Sequence, residues 1–462
     1  MWCMSRKMAV TLLLICCIAA GATVINNPKN RPLEYIPPSE QQYGDAAKGY
    51  DYLVYGDYIK SGLSYGYYRF LRGKDHTNYL SRTGKNAVVP YIFNVIKTPD
   101  SLDIVVPNCF TCHAQEFEGK LYPGLGSSII DFSKASQTNF AQNMVERFMK
   151  TFSRRQYRAG EDLVKSLRAV LPYLQTEVQG VNAAQRLTIL LAAHRDPQSL
   201  KWSDEPIMSF PDEVVPTDVP AWWMLKKKNA MFYNGFGRGD FGKFLMMSNI
   251  LTAKDSSETR EVSTHFADVL AYINSIEPPR YTHPVNSSLA AQGKTVFTNN
   301  CAKCHGDYGE HASYPNLLVP SNIIQTDSLL FKSNFQNPEF IDWFNKSWFA
   351  TTDHPAKLEP YNGYIAPPLD GVWITAPYLH NGSVPTLMAL LKSSLRPKYW
   401  KRNFKKPEYD YNNVGWKYKT REKPGKGTYN TTLAGYGNYG HTFGDQLNDE
   451  ERLAVIEYLK TL

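Results

Sequence analysis

Apolar residues recur every three or four positions along much of the chain, which is the period of an amphipathic α-helix. Patterns of this kind cover residues 138–152, 160–174, 183–193 and 263–276. The last of them stops just before Pro278-Pro279, and proline does not continue a helix. The patterns predict a mainly α fold with a few short strands and a hinge at the two prolines.

The C-terminal segment predicts a capped amphipathic helix. Asn448 is a good N-cap residue, and Glu451 follows three positions later, as in a capping box. Apolar residues in 453–462 then line one helical face. Tyr458 and Leu459 are the side chains expected to contact a neighbouring helix.

A second predicted helix leads into Cys301. Gly293, Phe297 and Cys301 fall four residues apart, so they share one face of this helix. Ser287 or Ser288 is the expected N-cap.

The first residues of the chain predict export. Two cationic residues at 6–7 precede an apolar run over 9–20, and small residues follow up to Ala22, which is the pattern of a secretory signal peptide. Cleavage near Ala22 predicts a periplasmic or secreted protein. Lipidation at Cys16 or Cys17 is disfavoured, because neither cysteine follows the small residue that lipoprotein signals use.

Charge and hydropathy exclude two classes of protein. No run of about 18 apolar residues follows the signal, so an integral membrane segment is not expected. The net charge of +8 is concentrated in residues 391–430, which hold twelve Lys/Arg against three Asp/Glu. A nucleic-acid binder would spread its cations over an interleaved surface. This basic segment predicts either a solvated loop or a docking face for an acidic electron-transfer partner.

The four cysteines that remain after the signal form two motifs. They are Cys109-Phe-Thr-Cys112-His113 and Cys301-Ala-Lys-Cys304-His305, and both follow the Cys-x-x-Cys-His pattern of haem attachment. Two thiols at this spacing add to the two vinyl groups of one haem, and the adjacent histidine supplies an imidazole ligand to its iron. The sequence therefore predicts two covalently bound c-type haems, with His113 and His305 as iron ligands.

Other uses of the cysteines fit less well. Structural zinc pairs its Cys-x-x-Cys motifs about 15–20 residues apart, whereas these motifs lie nearly two hundred residues apart. A thioredoxin-type dithiol needs one motif on a βαβ unit. Disulfides inside Cys-x-x-Cys close loops too small to stabilise a fold.

Three further segments carry a family resemblance. Residues 366–387, APPLDGVWITAPYLHNGSVPTL, resemble the signature of the bacterial di-haem cytochrome c peroxidase superfamily. Residues 227–232 and 440–444 are similar to its rubber-oxygenase branch. The resemblance implies one relay haem, one haem that reacts with peroxide or dioxygen, and a calcium ion. The chain departs from the peroxidases at 369–371, where they have Leu-Arg-Asn, and at 233–236, where they have Trp-Asp-Gly-Arg.

The expected organisation has three parts. Residues 1–22 are the signal peptide, 23–280 an N-terminal haem domain with inserted helices, and 281–462 a C-terminal cytochrome c domain.

The sixth ligand of each iron decides which haem transfers electrons and which haem reacts with a substrate. His441 matches the branch's distal ligand and is expected to be the second axial ligand of the His305 haem. His380 is the runner-up and is expected to act near the haem edge instead. Met388 and Tyr364 are further candidates.

No comparable ligand is found for the His113 haem, which favours an open, reactive iron. Phe236, Phe241 and Phe244 are expected to exclude water from its distal side, with Arg238 and Asp240 as polar groups. Asp240 is the candidate acid–base residue that a peroxidase needs. Arg238 and Asp240 can equally form a plain ion pair.

Trp373, in the signature stretch, is a candidate for electron passage between the haems. It can equally pack against a macrocycle.

Three functions follow. The first is an exported di-haem oxidoreductase, peroxidase-like or oxygenase-like, that meets a small redox protein and takes peroxide, dioxygen or an apolar organic substrate. The alternative is a pure electron-transfer cytochrome with both irons six-coordinate. A haem-bearing sensor is the third.

Overall fold

The computed structural model describes residues 33–72, 77–135, 143, 146–147, 150 and 153–462. The predicted signal peptide and most of the helix predicted over 138–152 lie outside these residues, so export and cleavage near Ala22 stay predictions. Within the described residues, no helix is both long and apolar enough to cross a membrane.

Helices carry most of the regular structure and the strands are short, which confirms the predicted mainly α class. The α-helices are α1 (Ala46–Tyr55), α2 (Tyr65–Arg72), α3 (Phe110–His113), α4 (Arg154–Val170), α5 (Ala184–Ala193), α6 (Phe241–Leu245), α7 (Ser256–Ser263), α8 (Phe266–Ser275), α9 (Ser287–Asn300), α10 (Ala302–His305), α11 (Ser321–Ile324), α12 (Leu329–Gln336), α13 (Pro338–Asn345), α14 (Trp348–Thr351), α15 (Leu387–Leu391) and α16 (Asp449–Leu459).

The strands form small antiparallel sheets of two or three strands. They are β1 (Glu34–Tyr35), β2 (Leu63–Ser64), β3 (Phe93–Lys97), β4 (Asp103–Pro107), β5 (Ala114–Phe117), β6 (Lys120–Pro123), β7 (Gly237–Gly239), β8 (Leu317–Pro320), β9 (Ala356–Leu358), β10 (Gly363–Ile365), β11 (Tyr399–Arg402), β12 (Tyr409–Asp410), β13 (Gly415–Trp416), β14 (Tyr418–Thr420) and β15 (Tyr429–Asn430). The sheets are β1-β8-β10, β14-β11-β15, β12-β13, β2-β4-β3, β5-β6 and β7-β9.

A side-chain cap explains where one of the predicted helices begins. The helix predicted from position 160 starts earlier, at Arg154, because the Ser153 side chain accepts a hydrogen bond from the backbone N–H of Gln156. The helices predicted over 183–193 and 263–276 are observed as α5 and α8.

The N-cap of α9 differs from the prediction. It is Asn286, because its side-chain oxygen accepts a hydrogen bond from the backbone N–H of Leu289 at 3.1 Å. Ser287 and Ser288 are therefore the first two helical residues, and the expectation that one of them caps the helix was wrong.

Helices α9 and α16 cross closely beside the second motif. The predicted capping box of Asn448 and Glu451 is present at the start of α16. Phe297 and Tyr458 pack with ring centres 5.3 Å apart, as expected for the terminal helix. A β-carbon on Gly293 would lie 1.8 Å from the carbonyl oxygen of Ala454, so only glycine allows this approach.

Two large clusters of buried hydrophobic side chains form the core. The first contains Phe110, beside the first motif, and takes in Phe344 from the C-terminal half. The second contains Phe297, beside the second motif, and takes in Phe117 and Trp223 from the N-terminal half. Each half thus contributes side chains to the other's core, and the boundary near residue 280 stays a prediction.

The close helix crossing gives a testable prediction. Gly293→Ala forces the α9 and α16 backbones apart, so we expect it to lower the free energy of unfolding by about 1–3 kcal/mol. Gly66→Ala is the matched control, because nothing lies within 4 Å of a β-carbon at that position in α2. We expect no loss of stability, or a gain of up to about 1 kcal/mol, for the control. Urea unfolding of both variants measures the difference, and equal effects would contradict the close crossing.

Candidate functional site

One cavity is lined by both Cys-x-x-Cys-His motifs. It has a volume of about 820 Å³, within the range of sites that hold large organic groups. The cysteines and the histidine of each motif reach its wall, and the remaining lining is largely apolar. The structure therefore brings together two motifs that lie nearly two hundred residues apart in the sequence.

Each motif folds as a single helical turn. The backbone N–H of His113 donates to the carbonyl of Cys109 at 3.0 Å, and that of His305 donates to the carbonyl of Cys301 at the same distance. Residues three and four apart share one side of a helix, so each turn presents its two cysteines and its histidine together.

All four cysteines are free thiols. Burial raises the pKa of both Cys109 and Cys301 to about 11, so these sulfurs are protonated. Unpaired thiols are what haem attachment requires.

His113 is held by stacking. Its ring lies 4.7 Å from that of Trp222 with an angle of 20° between the planes. Nδ1 of His113 is buried and has no hydrogen-bond partner among the described residues. Burial lowers the pKa of His113 to about 4, so the imidazole is neutral and keeps a lone pair for a metal.

His305 is held by a hydrogen bond. Its Nδ1 lies 2.8 Å from the carbonyl oxygen of Pro367, which can only accept, so Nδ1 carries the hydrogen and Nε2 keeps the lone pair. A carbonyl on the outer nitrogen is the usual way to orient a histidine that ligates a metal. Burial lowers the pKa of His305, which again favours the neutral ring.

His441 is the second imidazole beside His305. The two ring centres lie 6.1 Å apart, and their planes make an angle of 63°. An imidazole nitrogen lies about 2.0–2.1 Å from a bound metal, so two imidazoles on opposite sides of one metal hold their ring centres roughly 6 Å apart. Burial lowers the pKa of His441 to about 3, and its Nδ1 lacks a partner in the described part of the chain. This geometry supports His441 as the second axial ligand.

The backbone around His441 is held against its preference. Gly440 and His441 have φ angles of +72° and +45°, a region that costs a non-glycine residue roughly 1–2 kcal/mol. The guanidinium of Arg396 donates hydrogen bonds to the carbonyls of Asn438, Gly440 and His441 at 2.6–3.0 Å. Arg396 therefore positions His441.

His380 lines the cavity, but its Nε2 is already hydrogen-bonded to Tyr364. Tyr364 donates its hydroxyl hydrogen to the carbonyl of Asp327 at 2.6 Å, so its oxygen accepts from Nε2 of His380 at 3.1 Å. The two rings also stack, with centres 4.3 Å apart. This arrangement fits a group beside the haem rather than an iron ligand.

Arg238 and Asp240 are not among the described residues that line the cavity. Asp240 is buried and caps α6, accepting from the backbone N–H of Lys243 at 2.9 Å. Nε of Arg238 lies 3.7 Å from Oε2 of Glu359, which is an ion-pair contact. The expected roles of Arg238 and Asp240 in the distal pocket therefore have no support in the structure, and the two do not pair with each other.

Trp373 also lies away from the cavity wall as far as the structure describes it. It is fully buried, its indole N–H donates to the carbonyl of Pro279 at 2.8 Å, and its ring meets Tyr281 edge-on at 5.3 Å. It serves as an aromatic core residue, which leaves its expected catalytic role without support.

Two of the three phenylalanines expected to exclude water from the His113 haem line the cavity. Phe236 and Phe244 line the cavity, whereas Phe241 packs in the core without reaching it. Phe232 joins them, with its ring 5.0 Å from Phe236.

Asp218 is the residue that the sequence did not reveal. It is the only Asp or Glu among the described residues of the cavity lining. Burial raises its pKa to about 7, although the Tyr233 hydroxyl donates a hydrogen bond to it at 2.7 Å. Its backbone N–H donates to the carbonyl of His380 at 2.7 Å. It lies in a short segment between two prolines, where no motif marks it.

The residues present fit covalently bound haem. Free thiols, neutral imidazoles and a large apolar cavity meet at each motif. Calcium has no such support, since the described residues contain no group of three or more His, Cys, Asp or Glu that could hold a metal ion.

Two family models match parts of the C-terminal half. Residues 290–348, which include the second motif, match the family described as cytochrome c. Residues 363–401, which include Pro367 and His380, match the family described as RoxA-like, cytochrome c-like.

Two curated proteins of Sinorhizobium fredii are similar to the chain. The uncharacterized protein y4iM is 27% identical over 238 residues, 48% of this chain and 54% of that protein. The uncharacterized protein y4iJ is 44% identical over 110 residues, 21% of this chain and 18% of that protein. The chain thus spans about half the length of one relative and less than a fifth of the other.

These matches support a c-type cytochrome related to RoxA, with covalently bound haem c. They do not extend to the di-haem peroxidase superfamily.

The raised pKa of Asp218 gives a prediction about stability. An unfolded aspartate has a pKa of about 3.9, so between about pH 4 and 7 the folded protein holds a proton that the unfolded chain has lost. Stability should therefore fall as the pH rises through this window and level off above it. Asp218→Asn removes this fall, so urea unfolding should show the variant gaining stability over the parent between pH 5 and pH 8. Asp51→Asn, at an exposed position, is the control. Parallel pH profiles for parent and Asp218→Asn would refute the assignment.

Proposed function

We propose that this protein is an exported di-haem c-type cytochrome oxidoreductase that reacts with peroxide or dioxygen at the His113 side of the cavity and relays electrons at the His305 side. The observation that carries the proposal is the asymmetry between the two motifs. His305 has a second histidine ring 6.1 Å away. The close ring partner of His113 is Trp222, which offers no nitrogen lone pair to a metal.

The residues of the two motifs have separate roles in haem attachment and in iron ligation. Each pair of cysteines would bond one haem, and His113 and His305 would each donate one imidazole nitrogen. When bound, haem supplies one-electron chemistry, and an iron with an open position can also react with peroxide or dioxygen. His441 would supply a second imidazole nitrogen on the His305 side.

The wall around the His113 side favours small or apolar reactants. Phe236 and Phe244 exclude water from the cavity, and Leu191 adds to the same apolar lining. Asp218 is the carboxyl group that can hold or release a proton at its Oδ atoms, with the Tyr233 hydroxyl as its hydrogen-bond donor. Peroxide, dioxygen or an apolar organic substrate fits this wall.

A pure electron-transfer cytochrome is the second candidate, since the family matches themselves describe only cytochrome c-like sequence. Optical and EPR spectra of the purified protein, with and without peroxide, separate the two. One high-spin haem that binds CO supports the oxidoreductase. Two low-spin, six-coordinate haems in every redox state would refute it.

The number of haems is tested at the thiols. Cys109→Ala and Cys301→Ala should each lower the covalent haem content from two to one per chain, because each motif holds its own haem. Thr111→Ala, inside the first motif but without a thiol, is the control and should keep both. A pyridine haemochrome assay counts the haems, and two haems in either cysteine variant would overturn the attachment assignment.

The relay side is tested at His441. His441→Ala removes a strong-field imidazole, so the low-spin EPR signal of one haem should become partly high-spin and its potential should shift. The other haem should keep its spectrum. His380→Ala is the matched control, because it removes a buried histidine from the same cavity that is bonded to Tyr364 instead. A high-spin signal in the control alone would reverse the two assignments.

A further inference from the structure

The basic segment of the sequence is an ordered sheet. Strands β11, β14 and β15 pair in the order β14-β11-β15, so the segment is not a disordered loop. We call its outward surface the basic face. Its exposed cationic side chains are Lys398, Lys401, Lys405, Lys406, Lys417, Lys419, Arg421, Lys423 and Lys426.

Strand alternation separates the two sides of this sheet. Trp400 and Arg402 are buried, and Lys401 between them is exposed. Lys401 lies directly opposite Lys419 on the neighbouring strand. Like charges directly opposite one another destabilise a sheet, so this pair is costly for folding alone.

Few carboxylates neutralise the basic face. Glu408 and Glu422 are its exposed acidic residues, and Asp410 is half-buried beside them. Lys417 and Glu408 form the one ion pair of these cations within the described part of the chain, at 3.0 Å. The face therefore keeps a strong positive potential towards solvent.

Hydrogen bonds connect the inner side of the same sheet to the first motif. Arg402 donates a hydrogen bond to the carbonyl of Ser128, and the preceding residue, Ser127, donates its N–H to the carbonyl of Cys112 at 2.8 Å.

A second contact reaches the His380 segment. The Trp400 indole N–H donates to the carbonyl of Ser383 at 3.0 Å. Tyr429 stacks on Trp400 with ring centres 5.1 Å apart and donates its hydroxyl hydrogen to the carbonyl of Asn381, the neighbour of His380, at 2.8 Å. Hydrogen bonds thus connect the inner side of the basic sheet to the segment that carries His380, which lines the cavity.

We propose that the basic face docks an acidic electron-transfer protein. The proposal rests on the proposed function and adds the partner to it. On docking, one electron leaves the reduced partner, which is oxidised, and enters a haem of this protein, whose iron goes from ferric to ferrous. Opposite charges steer such a partner to the face, and salt screens the attraction.

The face fits a protein better than a nucleic acid or a membrane. Trp400, Trp416 and Tyr429 are buried and Tyr399, Phe404 and Tyr418 are half-buried, so no fully exposed aromatic ring on this face offers a stacking platform for single-stranded nucleic acid. Between positions 398 and 430 no large hydrophobic side chain is exposed, so nothing there inserts into a lipid interface.

Charge reversal on the haem-loaded protein tests the proposal. The face variant carries Lys401→Glu, Lys419→Glu and Lys426→Glu. The control carries Lys201→Glu, Lys254→Glu and Lys332→Glu, which are exposed elsewhere and change the net charge equally. The probe is a reduced plant-type ferredoxin, a small acidic one-electron donor, mixed by stopped flow at low and high salt.

We expect the low-salt rate of haem reduction to fall about tenfold or more in the face variant and to lose its salt dependence. The control should keep the parent's rate within about twofold. A triple Lys→Gln variant at the face positions should lie between the parent and the face variant, which guards against misfolding of the charge-reversed chain.

Equal rates in the face and control variants would overturn the docking proposal. So would a face variant that loses binding to single-stranded DNA or to phosphatidylserine vesicles while its ferredoxin rate stays unchanged. Haem content and reduction by dithionite are measured in every variant. A parent without covalent haem refutes the proposed function itself, whereas normal haem with no effect of charge refutes the docking face alone.

Discussion

The large apolar cavity shared by the two motifs is the constraint on which the rest of the structure depends. Apolar side chains form most of its lining, and apolar surface left facing water costs about 25 cal/mol per Å². The group that fills it is therefore part of the core. The helices that surround it bring side chains from both halves of the chain, and the four free thiols on its wall could bond that group covalently.

The two sides of the cavity differ in how they hold their histidines. The ring of His305 is oriented by a hydrogen bond from Nδ1, and the loop of His441 is fixed by Arg396 in a strained backbone conformation. Such strain persists only where the surroundings over-determine it, and it clusters at functional sites. Within the described part of the chain, the ring of His113 stacks on Trp222 and its Nδ1 has no hydrogen-bond partner. This difference in how the two histidines are held agrees with the proposed division into a relay site and a reactive site.

Local patterns in the sequence predicted the parts of the site that are local in structure. The two Cys-x-x-Cys-His turns and the capping box of α16 depend on residues within five positions of one another, so the sequence was enough to find them. Asp218 reaches the cavity through contacts with Tyr233 and His380, which no local pattern encodes. Asp240 is the N-cap of α6, and an acidic residue after glycine marks a helix N-cap as readily as it marks a catalytic acid.

Charge connects the cavity to the surface of the sheet. Arg402, on the inner side of β11, is buried, and burial lowers its pKa to about 9 while the nearby Asp218 carboxyl opposes that shift. The two groups therefore stabilise each other's charged forms across the cavity wall. An electron held by a haem in the cavity would add negative charge there and would make a proton on Asp218 more favourable. In the proposed oxidoreductase, arrival of an electron beneath the basic sheet would thus raise the proton affinity of the one carboxyl known in the cavity wall, which couples electron supply to proton supply at the reacting site.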